Sequence, residues 1–136
     1  MKYLIFSDSH HRNDFVKYLV NYYKGYDVIH LGDKQMDVNG INIRGNCDDT
    51  GLDELIIEID NNRALLTHGN YYQVKYTLNY LVERAKELKC NIVLFEHTHK
   101  QIDMKIDNVR LINPGALMDG YYIIYDDKFN LKKLGE

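Results

Sequence analysis

Residues 2–7 form a short apolar run holding Tyr3, Leu4, Ile5 and Phe6, cut off by the polar cluster Asp8-Ser9-His10-His11. Such a run predicts a buried strand that ends in a loop. Beyond it Phe15, Val16, Leu19, Val20 and Tyr23 recur at the helical period, with Asn13 suited to cap the start and Gly25 to stop the end. The opening unit therefore reads as strand, loop, helix. A second strand is expected over about 27–31, stopping at Gly32-Asp33, and a third over 41–44, stopping at Gly45-Asn46-Cys47-Asp48.

Strands over 53–60 and 64–67 flank Asp60-Asn61-Asn62-Arg63, which reads as a hairpin loop, and the second runs into Thr67-His68-Gly69. Val74, Leu78, Leu81, Val82, Ala85 and Leu88 mark the buried stripe of a long helix from about Gln73 to Lys89. Residues 91–95 form a further buried strand, ending at Glu96-His97-Thr98-His99. Short strands over about 101–106, 109–112, 121–125 and 129–133 follow, with turns at Asp107-Asn108, Pro114-Gly115 and Asp126-Asp127 and no helix after Leu88. Alternating strands and helices predict an α/β fold with extra antiparallel pairing at its end, in one domain over 1–136.

Composition narrows the function classes. Seventeen Lys+Arg against twenty Asp+Glu give a formal charge of −3, so no basic excess exists to hold a nucleic-acid backbone or an anionic membrane. The 45% apolar content, 12% of the chain being aromatic, excludes disorder. No run approaches the ~18 apolar residues of a membrane span, and the N-terminus turns polar at Ser7, too early for a signal-peptide core. A cytoplasmic location is the expectation. Cys47 and Cys90 offer neither a disulfide framework nor a CxxC zinc site, so any metal must be held by His, Asp and Asn.

Those residue types stand where they would be needed. In open α/β sheets, ligands gather outside the carboxyl ends of the strands. Strand by strand, the ends here supply Asp8 and His10, then Asp33, then Asn46, then His68, then His97 and His99. A lone Asp there caps a turn and a lone His is usually a satisfied polar group, but turn chemistry has no use for histidines at successive strand ends. Imidazole, carboxylate and amide oxygen together suit Mn, Fe, Zn, Ni or Co.

The ordered blocks Asp8-Ser9-His10, Gly32-Asp33, Gly45-Asn46-Cys47-Asp48, Thr67-His68-Gly69 and His97-Thr98-His99 resemble the calcineurin-like metallophosphoesterases, in particular the small bacterial and archaeal phosphodiesterase branch. The resemblance spans residues 3 to about 116. It implies a four-layer α-β-β-α sandwich with mixed sheets and two divalent transition-metal ions, manganese first, with Ni, Zn, Fe or Co as alternatives. It further implies Asp8, His10, Asp33 and His99 around one ion and Asp33, Asn46, His68 and His97 around the other, with Asp33 bridging. The expected enzyme is a phosphodiesterase or phosphatase hydrolysing a small phosphate ester by in-line attack of a metal-bridging hydroxide, a centre of formal charge about +1 that attracts the anion. Asp33, Asn46 and His68 would act in catalysis through the metals, and Asn46 and His11 would touch substrate, His11 having a solvated loop role as its alternative.

Some residues depart from the family pattern. Cys47 stands where many relatives carry a His acting as general acid, and reads as a buried spacer or a weak acid. Glu96 replaces a usual Gly and is expected to face solvent or to bond a ligand histidine. Asp37 reads as a turn or supporting acid, His30 as a packed residue, and Asn113-Pro114-Gly115 as structure. Tyr71 or Tyr72 is a candidate to stack on substrate, and exposed tyrosines could instead serve a homodimer. The rival to an enzyme is an interaction scaffold or a silent metal binder on the same fold.

Overall fold

The alternation of apolar side chains in the first strand already divides the molecule into layers. In the computed structural model, which describes residues 1–10, 12–33, 40–48 and 51–135, β1 (Tyr3–Phe6) is buried throughout. Tyr3 and Ile5 turn to one face and Leu4 and Phe6 to the other, because successive Cβ atoms in a strand point oppositely. Leu4 and Phe6 pack on Val16 and Leu19 of α1 (Asn13–Tyr22). Tyr3 and Ile5 enter a second cluster with Ile29 of β2 (Asp27–His30) and with residues of an opposing sheet.

β3 (Gly40–Asn42) completes one edge of the first sheet, and β9 (Tyr121–Tyr125) and β10 (Phe129–Lys133) complete the other, in the order β10-β9-β1-β2-β3. β1, β2 and β3 run parallel, whereas β9 and β10 pair antiparallel. The opposing sheet holds β4 (Glu54–Ile59), β5 (Asn62–Thr67), β6 (Ile92–Leu94), β7 (Ile102–Ile106) and β8 (Val109–Asn113) in the order β4-β5-β6-β8-β7. β5, β6 and β8 are parallel and the outer strands antiparallel. Ala64 and Leu66 of β5 face the first sheet, while Leu65 packs on Leu81, Val82 and Ala85 of α2 (Asn79–Glu87). Helix, sheet, sheet and helix thus follow as four layers, as the resemblance implies.

Three expectations need correction. Leu117–Asp119 forms a short 3₁₀ turn where no helix is expected after Leu88. The long helix over 73–89 is only α2. Asn70–Tyr72 forms a separate 3₁₀ turn, Gln73 adopts φ 51°, and Thr77 Oγ1 accepts the Asn79 N–H at 3.1 Å, so the chain restarts its helix instead of continuing one. The apolar stripe did not register this left-handed residue. Asn13 is likewise not the cap of α1: the Arg12 carbonyl accepts from Phe15 and Val16, making Asn13 the first helical residue.

At the far end of α2, Cys90 N donates to Ala85 O and Lys89 N to Lys86 O, a Schellman closure with Lys89 at φ 59°. Lys89→Gly removes the Cβ penalty of that conformation. It is expected to raise unfolding free energy by roughly 0.5–1 kcal/mol, read from denaturant midpoints at unchanged m-value.

Candidate metal centre

Because β1, β2 and β3 run in one direction and β5 and β6 are parallel in the facing sheet, the loops after all five can share one edge of the sandwich. They do so. After β1 and β6, Asp8 Oδ1 lies 3.3 Å from both His10 Nε2 and His99 Nε2. After β2, β5 and β6, Asp33 Oδ2 lies 3.2 Å from His68 Nε2, and His68 Nε2 lies 3.3 Å from His97 Nδ1. Within each trio one ligating atom per residue lies within 4.8 Å of the others. Asp33 also touches Asp8, which joins the two groups.

Asn46 completes the second group. Its amide oxygen faces acceptors alone, 3.1 Å from His68 Nε2, 3.2 Å from His97 Nδ1 and 2.9 Å from Asp33 Oδ2. His68 Nδ1 lies 2.8 Å from the Leu31 carbonyl oxygen, so it carries the ring proton and leaves Nε2 of the neutral ring as a bare lone pair. Turned over, the amide donates its NH₂ to these same atoms, so in either orientation Asn46 lies against His68, His97 and Asp33. The nitrogen and oxygen donors fit divalent transition ions, and the carbonyl that fixes His68 is the kind of outer support that such ligands have.

The backbone is bent to achieve this convergence. Asp8 (φ 51°), His10 (41°), Asp33 (65°), His97 (76°) and His99 (62°) all lie in the left-handed region. That region is disfavoured for L-residues by roughly 1–2 kcal/mol, and such strain concentrates at functional sites. Neighbouring groups hold it in place. Asp48 Oδ2 accepts the N–H of Asp33 and of Gly45, both at 2.8 Å, and Asp33 Oδ1 accepts the Cys47 N–H at 2.8 Å. A Cβ on Gly45 would stand 2.1 Å from Asp33 Oδ1 and 2.3 Å from Asp33 N, so only glycine lets the two loops approach. Asn113 Nδ2 donates to Thr98 Oγ1 at 3.0 Å and steadies the His97-Thr98-His99 loop.

Over residues 1–122 the chain matches the family model of the calcineurin-like phosphoesterase superfamily domain. The chain belongs to this superfamily. A probable metallophosphoesterase of Mycoplasma genitalium is 32% identical over 126 residues, covering 86% of this chain and 77% of the relative. An archaeal phosphodiesterase of solved structure superposes with TM-score 0.76 at 23% identity, covering 98% of this chain and all of that one. A single mutant of Vps29 from Entamoeba histolytica superposes with TM-score 0.76 at 20% identity over 93% of this chain and 86% of its own. The superfamily's metallophosphoesterases are hydrolases that use divalent metals, and the two side-chain groups at the sheet edge are where this chain could hold them. Among the described residues, no helix is long and apolar enough to cross a membrane.

Asp8, His10, Asp33, Asn46, His68, His97 and His99 are therefore brought together. His11 and Asp37 lie outside the described residues. His30 is packed as expected: buried edge-on against Phe6, it accepts the Gly32 N–H at Nδ1, and its Nε2 meets Ser9 Oγ at 3.3 Å. Tyr72 is tied to Glu54 through its hydroxyl, whereas Tyr71 is exposed and its hydroxyl accepts from Arg44.

One expectation fails and one holds in part. Cys47 is exposed, not a buried spacer, because its backbone N–H is turned inward onto Asp33. Glu96 does not face solvent: it is fully buried, its Oε2 accepts the His97 N–H at 2.8 Å, and its Oε1 has no partner. It does bond a candidate ligand histidine, through the His97 N–H, while His99 Nε2 is 3.9 Å away. The roles of Asp48 and of the Leu31 carbonyl were not legible in the residue pattern, because backbone partners leave no trace in residue type.

Burial and the neighbouring Glu96 push Asp8 up to about 9, and burial raises Glu96. Burial would also raise Asp33, but His68 and the Cys47 N–H hold it well below the usual carboxylate range. His68 is raised, Asp33 and Asp8 outweighing burial, while burial first and then the charge of His68 push His97 down to about 4. Burial likewise pushes His30 down to about 4.

The lowered histidines disfavour folding only below the ordinary imidazole value of 6.5. The raised groups favour folding while protonated and lose that contribution as pH climbs through their folded values. Chelated protein is therefore expected to melt at progressively lower temperature from pH 6.5 to about 9, and added divalent ion should flatten that slope in a calorimetric series. Gly45→Ala is expected to cost about 1–3 kcal/mol through overpacking, and to lower metal affinity by displacing Asp33. Asp48→Ala, which strands two N–H groups, should act in the same direction in melting and in metal titration.

Proposed function

We propose that this chain is a binuclear metal-dependent phosphodiesterase. Asp8, His10, Asp33 and His99 hold one divalent ion and Asp33, Asn46, His68 and His97 the other, with Asp33 shared. The observation that carries the reading is the convergence of two groups at one sheet edge, Asp8-His10-His99 and Asp33-His68-His97, each with ligating atoms within 4.8 Å of one another. Two such ions, when bound, lower the pKa of a shared water and polarise the phosphoryl oxygens for in-line displacement. Carboxylate, amide and imidazole donors suit Mn, with Ni, Zn, Fe or Co as alternatives.

The chain's own residues set the rest. His68, oriented by the Leu31 carbonyl, and Asp33, clamped by Asp48 and Cys47, fix the centre rigidly and exclude water from its floor. Asn46, on an exposed loop beside Cys47, is the ligand best placed to meet substrate as well. Every histidine among the described residues is a ligand candidate or, as His30, is buried, so none of these is left to protonate a departing alkoxide. That favours diesters with acidic leaving groups over ordinary monoesters. Next to His97 lies a cavity of about 260 Å³ with Val74, Leu78, Phe95 and Ile102 in its wall and Lys75 and Lys100 beside them, suited to an apolar or aryl group near an anion. The likeness to Vps29 keeps a scaffold role as the second reading. The intact ligand set speaks against it.

An activated aryl phosphodiester assayed with Mn, Ni, Zn or Mg tests the proposal. The wild type is expected to turn over the diester faster than the matching monoester, to lose activity on chelation and to regain it with metal. Asp33→Ala and His68→Ala should each lower kcat/KM by at least about 100-fold, the scale of removing one fixed charge-stabilising group. Both should also bind less metal. Unchanged rates in both variants would refute the site, and a faster monoester rate would refute the diester preference.

A further inference from the structure

We infer that Glu96 is an additional carboxylate ligand to the ion position formed by Asp8, His10 and His99, an inference that rests on the metal-centre reading above. Glutamate is almost never fully buried unless it is paired, yet Glu96 is fully buried and its Oε1 has no hydrogen-bond partner. Its Oε2 accepts the His97 N–H at 2.8 Å, which anchors the carboxyl group on the loop that carries both candidate histidines. From there the carboxyl meets that of Asp8 and stands 3.9 Å from His99 Nε2, itself 3.3 Å from Asp8 Oδ1. Two donors bonded at about 2.1 Å to one ion stand no more than about 4.2 Å apart. The 3.9 Å from Glu96 Oε2 to His99 Nε2 and the 3.3 Å from Asp8 Oδ1 to the same atom fall within that limit.

A purely structural role accounts for only half of the side chain. Capping the His97 N–H occupies Oε2 and leaves Oε1 buried and unused. Asp33 adds negative charge near Glu96, and the hydrogen bond with the Asp8 carboxyl leaves one proton shared between two acids. A buried charge needs a partner of opposite sign, and a divalent ion at the Asp8 position provides it. The consequence is an asymmetric centre. Counting the shared Asp33, the Asp8 position has three carboxylates against one at the Asn46 position, and favours oxygen-seeking ions such as Mn.

Mn²⁺ is the probe. The full chain, stripped by chelation, is titrated with Mn²⁺ by calorimetry and by electron paramagnetic resonance, and is expected to take up two ions. Glu96→Gln keeps the volume and the acceptor for the His97 N–H. It should weaken Mn²⁺ binding at one position by at least about tenfold and leave the other within about twofold. Unchanged affinity at both positions would overturn the inference. Should Glu96→Gln fail to fold, crystals of the Mn-loaded wild type decide: anomalous scattering should place a Glu96 oxygen about 2.2 Å from an ion, and a separation beyond about 3.5 Å overturns the assignment. Wild-type protein that takes up no ion refutes the metal centre itself, whereas two ions with Glu96 unbonded refute this inference alone.

Discussion

Asp33 is where the strand-end loops are tied together. Its own N–H is held by Asp48, one carboxylate oxygen accepts the Cys47 N–H, and the other faces His68 and the Asn46 amide. It also touches Asp8, which draws in His10 and His99. Loops from both sheets are therefore referenced to one carboxylate, and Gly45 lies so close that a single methyl group would displace it. Convergence of this density demands a rigid support. The doubly buried parallel strands provide it, with apolar side chains packed on both faces.

That support allows strain that a looser fold would relax. Five of the seven candidate ligands hold positive φ, a conformation that isolated Asp or His residues leave readily. Each bend turns a side chain back over the edge of its sheet toward the common centre. Backbone hydrogen bonds keep the bends in place: Leu117 N to Ser7 O and Met118 N to Asp8 O fix the first loop, and Glu96 N to His68 O links the last two. The price in local conformational energy is met by the packed core, the usual arrangement at preorganised sites.

Charge gives the centre its character. Three acids, Asp8, Asp33 and Glu96, are buried or nearly so at one end of the molecule. The metal-free centre is consequently under electrostatic stress, visible in the raised Asp8 and Glu96 carboxyls and the raised His68. A cation relieves all three at once. The likeness to Vps29 concerns the fold, whereas the two groups of metal-ligating side chains are read from this chain's own residues. Cys47 is exposed on the same loop as Asn46.

The order of elements was legible from the chain because short apolar runs and their polar stops are local properties; β1, β6, β9 and β10 fall within a residue or two of expectation. The ligand residues were legible for the same reason, as polar types at strand ends where turn chemistry does not call for histidine. Periodicity misjudged α2, since one left-handed residue at Gln73 leaves the apolar spacing intact while breaking the helix. Only the tertiary structure decided the direction of Glu96, the exposure of Cys47, the clamp at Asp48 and the carbonyl behind His68. Sequence fixes which chemical groups are present and the local preference of each stretch. Where a side chain points depends on φ values and on neighbours far along the chain, and these are set when the two sheets pack.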